Sequence, residues 1–327
     1  MISFTKNINT FLITIVIFIM VISLCSCEKI IEYNGETTIS KPTVFGLLYT
    51  FNKATIYLGQ STFFLNDDSL TVDSEFANAD VKLVVNGESI HQMKHIDGDY
   101  NNSDVLEKYQ CEYIPGENDS ISLSVKIPGY DELNSSMIMP GKADFELISK
   151  EITKVYDEDT DTYSKEVKLK IRITSHGDNV HCYYLNLLRT YDNGIYLNNE
   201  CYASSNDILF KNNENTISSF SFRNSSNYFN DQLFRNQDYE FEIDLSCPGY
   251  RNKLDKRLIF VEDDVLLSIM SITEDYYNYL QSLDIYQQYE INDMFSEKTK
   301  IFSNIDNGIG IFGGLTDNGI SVNLREK

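Results

Sequence analysis

Apolar and polar residues alternate with a period of two along most of the chain, and glycine, proline and asparagine break the alternation at short intervals. This pattern commits the chain to β-strands joined by tight turns. Val81, Leu83 and Val85 alternate up to Asn86-Gly87. Tyr109, Cys111 and Tyr113 alternate before Pro115-Gly116, and Ile121, Leu123, Val125 and Ile127 before Pro128-Gly129-Tyr130. A period of two places such residues on one face of a pleated strand, and Asn-Gly or Pro-Gly supplies the backbone angles that reverse it. Another strand starts around Val44, Leu47 and Leu48. The rhythm predicts an immunoglobulin-like or transthyretin-like sandwich over residues 41–140, without the buried tryptophan of that architecture, because the chain has none.

Pro140-Gly141 and the more polar region after it predict a boundary, with a second β-rich domain over 141–327. Val167, Leu169, Ile171 and Ile173 alternate there, as do Tyr239, Phe241, Ile243 and Leu245 before a turn expected at Cys247-Pro248-Gly249-Tyr250. The flanks of the two Pro-Gly-Tyr segments do not match, so they are not read as a repeat. One helix is expected near 272–289, starting near Ser271 or Thr273. Ser271 and Glu274 have capping-box spacing, Glu274 and Asp275 suit the positive end of the helix dipole, and Tyr276, Leu280 and Leu283 share a face. Tyr277, Tyr279, Tyr286 and Tyr289 make it aromatic, which is read as packing on the sheet rather than as a platform for sugars.

The N-terminus has a different character. Lys6 precedes an apolar core from Phe11 to Leu24, which has the length of a secretory h-region and is short for a membrane span. Leu24-Cys25-Ser26-Cys27 follows and resembles a bacterial lipobox. The small Ser26 directly precedes Cys27, whereas the bulky Leu24 precedes Cys25, so Cys27 is the expected lipidation site, with Leu24 and Ser26 read by the peptidase. Residues 1–26 are then a lipoprotein signal peptide, and 27–40 a lipidated tether rich in polar and charged residues. The rival reading, an uncleaved anchor helix over 7–27, also puts the body outside the inner membrane. Glu28 stands where an aspartate would favour inner-membrane retention, so outer-membrane delivery is expected.

Composition excludes one class of partner. The net charge of −22 becomes −23 once the leader with its single lysine is removed, and a chain so acidic repels phosphate backbones. No nucleic-acid partner is expected. The glycine pattern Gly308-Ile309-Gly310-Ile311-Phe312-Gly313 satisfies the dinucleotide fingerprint literally, but too little chain follows it for the helix, strand and acid that give the pattern meaning. It is read as a place where backbones approach closely. His91 and His95 have helical metal spacing in a strand-and-turn context, where residues four apart lie about 13 Å from each other, so they are read as surface histidines. Asp157, Asp159 and Asp161 imitate a calcium loop, but Thr162 replaces its glycine and Lys168 its bidentate glutamate; a solvated hairpin tip is expected. No nucleophile–base pair is marked. The chain is therefore read as non-catalytic, with no cofactor and no metal.

Four cysteines remain after Cys27, and an export compartment permits three complete pairings. A two-residue turn at Asn193-Gly194 would set Cys201 opposite Asn186, leaving Cys182 about 13 Å along the strand and too far for a bridge. Buried free thiols are the favoured reading.

Together these features resemble a Bacteroidetes family of outer-membrane lipoproteins known as domain of unknown function 4249. The resemblance rests on Cys27-Glu28-Lys29 and the tether after it, on Ala79-Asp80-Val81 leading to Asn86-Gly87-Glu88, and most specifically on Ser303-Asn304-Ile305-Asp306-Asn307-Gly308-Ile309-Gly310-Ile311-Phe312-Gly313. The segment Glu274-Asp275-Tyr276-Tyr277-Asn278-Tyr279-Leu280 is also similar to the family's ending. The resemblance implies lipid anchorage in the outer membrane, facing the periplasm or the medium. It also implies a TonB-dependent transporter as partner in nutrient uptake, with the cargo left open. A fimbrillin-like structural adhesin is the alternative expectation, released for strand exchange by cleavage after Lys41 or Lys53. Cys27→Ala should abolish metabolic labelling with fatty acid and leave uncleaved precursor, while Cys25→Ala should change neither; label retained on the Cys27→Ala chain would refute the assignment.

Overall fold

The structure is a computed structural model that describes residues 40–61, 75–96, 106–157, 162–190, 196–197, 202–210, 227–251, 258–259, 264–292 and 300–324. Ser40 to Lys327 forms one compact unit. Its first part carries β1 (Pro42–Tyr49), β2 (Thr55–Gln60), β3 (Asp80–Val85), β4 (Ser89–Gln92), β5 (Lys94–Ile96), β6 (Glu107–Gln110), β7 (Ser120–Lys126) and β8 (Leu133–Ile138). After these come β9 (Asp144–Asp157), β10 (Thr162–Thr174), β11 (Cys182–Thr190), β12 (Tyr196–Leu197), β13 (Tyr202–Ser204), β14 (Tyr228–Asn230), β15 (Asp238–Arg251), β16 (Leu258–Ile259) and β17 (Asp264–Ile272). Helix α1 (Glu274–Asn292), β18 (Ile309–Thr316) and β19 (Gly319–Asn323) complete the chain. Among the described residues the protein is thus mainly β, with one α-helix in its C-terminal half.

Three sheets organise these strands. The longest has ten strands along the path β12-β11-β17-β18-β1-β2-β6-β5, with β14 on β11 and β19 on β17. Two smaller sheets, β4-β3-β7-β8 and β13-β15-β10-β9, pack against it. The first smaller sheet encloses a core of Val81, Leu83, Ile121, Leu123 and Val125 with Val44, Ile56 and Phe312. The second encloses Leu169, Ile171, Phe241 and Ile243 with Leu185, Leu267 and Ile269. Register places both cores on one face of the long sheet: Gly46 pairs with Phe312, and Ser271 with Thr316, two residues beyond Gly314. The opposite face carries Leu47, Tyr184, Met270, Ile272 and Leu315, which Tyr276, Tyr277 and Leu280 of α1 cover. Layered burial of this kind is what period-two strands require.

Each half has its own core, and β8 hands over to β9 where Pro140 marks the expected boundary, but β18 belongs to both. It pairs in parallel with β1 from Thr43↔Ile309 to Tyr49↔Leu315 and antiparallel with β17 at Ser271↔Thr316 and Ile272↔Leu315. The first sandwich therefore borrows a strand from the end of the chain, which no local signal in residues 41–140 announces.

Several local expectations change in detail. Asn86 and Gly87 do turn the chain, at φ 54° and 72°, and Gly129 does so at φ 84°. Pro248-Gly249 does not: β15 runs straight through it, paired Ser164↔Pro248 and Tyr163↔Gly249 with the 13-residue β10, because that long partner continues to offer a ladder. The hairpin after β11 pairs Thr190↔Tyr196 and Arg189↔Leu197, one residue out of the expected register. Ser271 lies in β17 and caps nothing. Thr273, the other expected start, precedes α1, its carbonyl accepting from Tyr277 N–H at 3.0 Å while its hydroxyl accepts from Gly314 N–H at 3.2 Å. Cys111 and Cys182 are free and buried, as expected; Cys247 is disulfide-bonded, to a residue outside those described.

The glycine segment explains itself in β18. A Cβ on Gly310 would lie 1.9 Å from the Val44 carbonyl oxygen, and its φ is +125°. On Gly313 a Cβ would lie 3.0 Å from Tyr276 Cβ, and on Gly314 2.5 Å from Met139 Sδ. Side chains there would force apart β1, α1 and the first core in turn. Gly310→Ala should therefore destabilise the fold by about 3 kcal/mol or more, whereas Gly87→Asn, at an open position whose φ asparagine adopts, should stay within about 1 kcal/mol. Denaturant midpoints of the two variants test the contrast.

Candidate functional site

The lipobox residues Leu24, Ser26 and Cys27 lie outside the described residues. Within them, a cleft of about 430 Å³ opens at the seam between the halves. It is bounded by the crossing from β8 to β9, the loop from β10 to β11, and the start of α1. Met139, Pro140, Lys142, His176, His181 and Glu274 are among its lining residues. The seam is held by hydrogen bonds from the last residue of β18 and the turn after it. The Thr316 hydroxyl donates to the Pro140 carbonyl at 2.6 Å, and Asn318 Nδ2 donates to the Ala143 carbonyl at 2.7 Å.

A buried carboxylate organises one wall. Asp231 is fully buried directly after β14, and β14 pairs with β11 from Cys182↔Asn230 onward. The Ser175 hydroxyl donates to Asp231 Oδ2 at 2.5 Å, His181 N–H donates to Oδ1 at 3.0 Å, and His181 Nδ1 meets Oδ2 at 2.8 Å. The Asp231 N–H in turn donates to the His181 carbonyl at 3.0 Å. Burial pushes the Asp231 carboxyl up, but the hydroxyl, the amide and the imidazole together hold it below the ordinary carboxylate range. An ionised carboxylate can only accept, so the contact places a ring proton on Nδ1 and fixes the orientation of the imidazole.

Chemically this is an oriented histidine at the margin of a cleft, 42% exposed in its side chain. The Ser175 hydroxyl is spent on Asp231 rather than on His181, so the three residues do not form a nucleophile relay. Nearby, His176 Nε2 approaches Asp144 Oδ2 at 3.1 Å with both side chains well exposed, an arrangement that solvent screens. Among the described residues no group of three or more His, Cys, Asp or Glu side chains is placed to hold a metal ion. The thiol of Cys182, also on the lining, is pushed by burial up to about 12 and stays protonated.

The sequence did not single out this cluster. Ser175, His181 and Asp231 come from two loops fifty residues apart, and no spacing rule joins them; the only hint was that the chain has just four histidines. The residues that sequence patterns did single out are dispersed. His91 lies on β4, its ring stacked on Tyr113 at 4.6 Å between centroids, while His95 lies on β5 in a different sheet and meets Glu107 at 2.5 Å. Asp157 ends β9 opposite Thr162, as a hairpin tip requires; Asp159 and Asp161 lie outside the described residues. A second depression, of about 500 Å³, lies over Lys168, Lys170, Glu240, Glu242 and Asp244, whose charges pair across β10 and β15.

A mainly β protein of sandwich type, its sheets sharing one long layer, is the class that this geometry defines. Residues 29–319 match the family model described as "Domain of unknown function (DUF4249)", and the chain belongs to that family. None of the curated proteins matches it. The segment that carried most of the resemblance, Ser303 to Gly313, is a latch. Asn304 Nδ2 donates to the Phe312 carbonyl and to Asp275, both at 2.8 Å, and its Oδ1 accepts from Phe312 N–H at 2.9 Å. Ser303 Oγ accepts from Gly310 N–H at 3.1 Å.

Because Asp231 titrates below its unfolded value of about 3.9, it adds stability at all pH values above that point and loses the contribution as pH falls through the lower folded value. Asp231→Asn should cost about 2–4 kcal/mol near neutrality and flatten the acid limb of the Tm–pH curve. An acid limb identical to that of the parent chain would remove Asp231 from this role.

Proposed function

We propose that this chain is an outer-membrane lipoprotein acting as a non-catalytic accessory or binding component of a TonB-dependent nutrient uptake system. The observation that carries the reading is Leu24-Cys25-Ser26-Cys27, set just ahead of the compact unit that begins at Ser40. Acyl chains on Cys27 would confine the β-rich body to the membrane that holds such a transporter, where even a modest interface gains from high effective concentration. Among the described residues no helix is long and apolar enough to cross a membrane. The acidic body favours cationic or metal-laden cargo over polyanions. The seam cleft, with its oriented His181, supplies hydrogen-bonding contacts of the kind that binding needs.

Gentle detergent extraction of a C-terminally tagged chain, followed by mass spectrometry, should enrich a TonB-dependent transporter over an unrelated lipoprotein control, and a deletion strain should grow poorly on at least one nutrient. Absence of both results would end the uptake reading. Recovery of the chain as a detergent-resistant polymer ladder would favour a fimbrillin-like adhesin instead.

A further inference from the structure

Helix α1 packs on the outer face of the long sheet with Leu315 of β18 and Leu47 and Tyr49 of β1. The same face continues past it onto β2, β6 and β5. Side chains alternate along these strands, so register sets Phe45 of β1 beside Tyr57 of β2, and Tyr57 beside Lys108 of β6. At the edge, β5 adds Lys94 opposite Gln110 and Ile96 opposite Lys108. Leu106, just before β6, lies over Gly59 in the space that a Cβ there would need. The other faces of these strands carry Val44, Ile56, Leu58 and Tyr109 into the first core.

Phe45, Ile96 and Leu106 are 38%, 39% and 46% exposed, and apolar side chains grouped on one surface mark a place of contact. The charge among them is of one sign. Lys94 and Lys108 make no ion pair among the described residues, and Lys41, exposed directly before β1, adds a third ammonium group. Alternation puts no acidic side chain of β1, β2, β5 or β6 on this face, since Glu107 stands on the opposite face of β6 and meets His95. At the far end Glu112 is matched by Lys53 at 2.6 Å. In a chain of net charge −22, this face is a basic and apolar exception.

We propose that this face docks on an anionic lipid surface. Lysine ammonium groups meet lipid phosphates there, while Phe45, Ile96 and Leu106 enter the boundary between headgroups and acyl chains. Salt screens charges beyond about 8 Å, so the charge that counts is that of the face and not that of the acidic body behind it. Position selects a bilayer over a soluble polyanion or an acidic protein. The twelve residues from Glu28 to Ile39 precede the compact unit, and a chain of that length reaches at most about 40 Å. An acylated Cys27 would therefore hold the start of β1, and the face it belongs to, beside the headgroups. The choice of a bilayer rests on the lipid-anchor reading; binding of the face to phosphates does not.

The test uses the chain from Glu28 onward, which keeps the whole compact unit and carries no acyl group. Flotation with phosphatidylcholine vesicles that contain phosphatidylglycerol should show saturable binding that high salt weakens, with none to phosphatidylcholine alone. Lys94→Gln with Lys108→Gln should weaken that binding by about tenfold or more, and Phe45→Ser should weaken it at either salt concentration, each with an unchanged circular dichroism spectrum. Lys82→Gln with Lys126→Gln, the same loss of charge on the outer face of β3 and β7, should leave it unaltered. No binding at low salt, equal binding to phosphatidylcholine, or an equal loss in the Lys82 and Lys126 variant would overturn the proposal. So would a preference for polyglutamate over vesicles, which would make the partner an acidic polypeptide, or dimerisation lost with Phe45→Ser, which would make the face a contact between copies. Fatty-acid labelling reads the anchor separately: label on Cys27 with a body that ignores anionic vesicles would keep the anchor and remove the docking face, and vesicle binding without label would do the reverse.

Discussion

The parallel contact between β1 and β18 brings the first described strand of the compact unit against almost the last, and the backbones meet closely enough that a single Cβ at Gly310 would occupy the space of the Val44 carbonyl. Much else depends on that approach. Through β18 the strands of the first sandwich join those of the second into one long sheet, which gives both smaller sheets a common surface to pack on. On the opposite face, Gly313 leaves room for Tyr276, so α1 can lie down over Leu315 and Ile272. Glycine costs conformational entropy in a strand, and here that cost is offset by packing on both faces at once.

Polar groups then lock what the glycines permit. Asn304 mimics a neighbouring strand by satisfying both the N–H and the carbonyl of Phe312, while its amide also reaches Asp275 of α1. Thr316 and Asn318 hold the crossing from β8 to β9, and Asp231 holds the loop before β11. Buried donors and acceptors are expensive when unpaired, so each of these contacts narrows the ways in which the two halves can be arranged. The seam cleft is shaped by these pins, and its histidine is aligned by one of them.

A lipid anchor ahead of Ser40 would attach the body through β1, which is hydrogen-bonded on both sides and buried on one face. The same strand carries Phe45 and Tyr49 on the other face. The seam cleft belongs instead to the junction that β18 creates. That cleft is polar, and its His181 is hydrogen-bonded to a buried carboxylate.

Strand content, the Asn86-Gly87 and Gly129 turns, the two sets of alternating core residues and the single helix were legible in the sequence, because period, turn chemistry and helix periodicity are local properties. The structural reading of the glycine segment was legible too, since Asp317-Asn318-Gly319 turns the chain where a nucleotide site needs a helix. What only tertiary structure decided lies at long range. Pro248-Gly249 continues a strand because β10 is there to pair with it, and His91 and His95 part company because the chain changes sheets at Met93. Cys182 stays free in a strand flanked by β14 and β17, and Ser175, His181 and Asp231 meet only after β11 and β14 have paired. Parallel pairing between the two ends of the chain leaves no periodic trace, because the partner that satisfies a strand's backbone is chosen by the closing of the whole sheet and not by the strand's own residues.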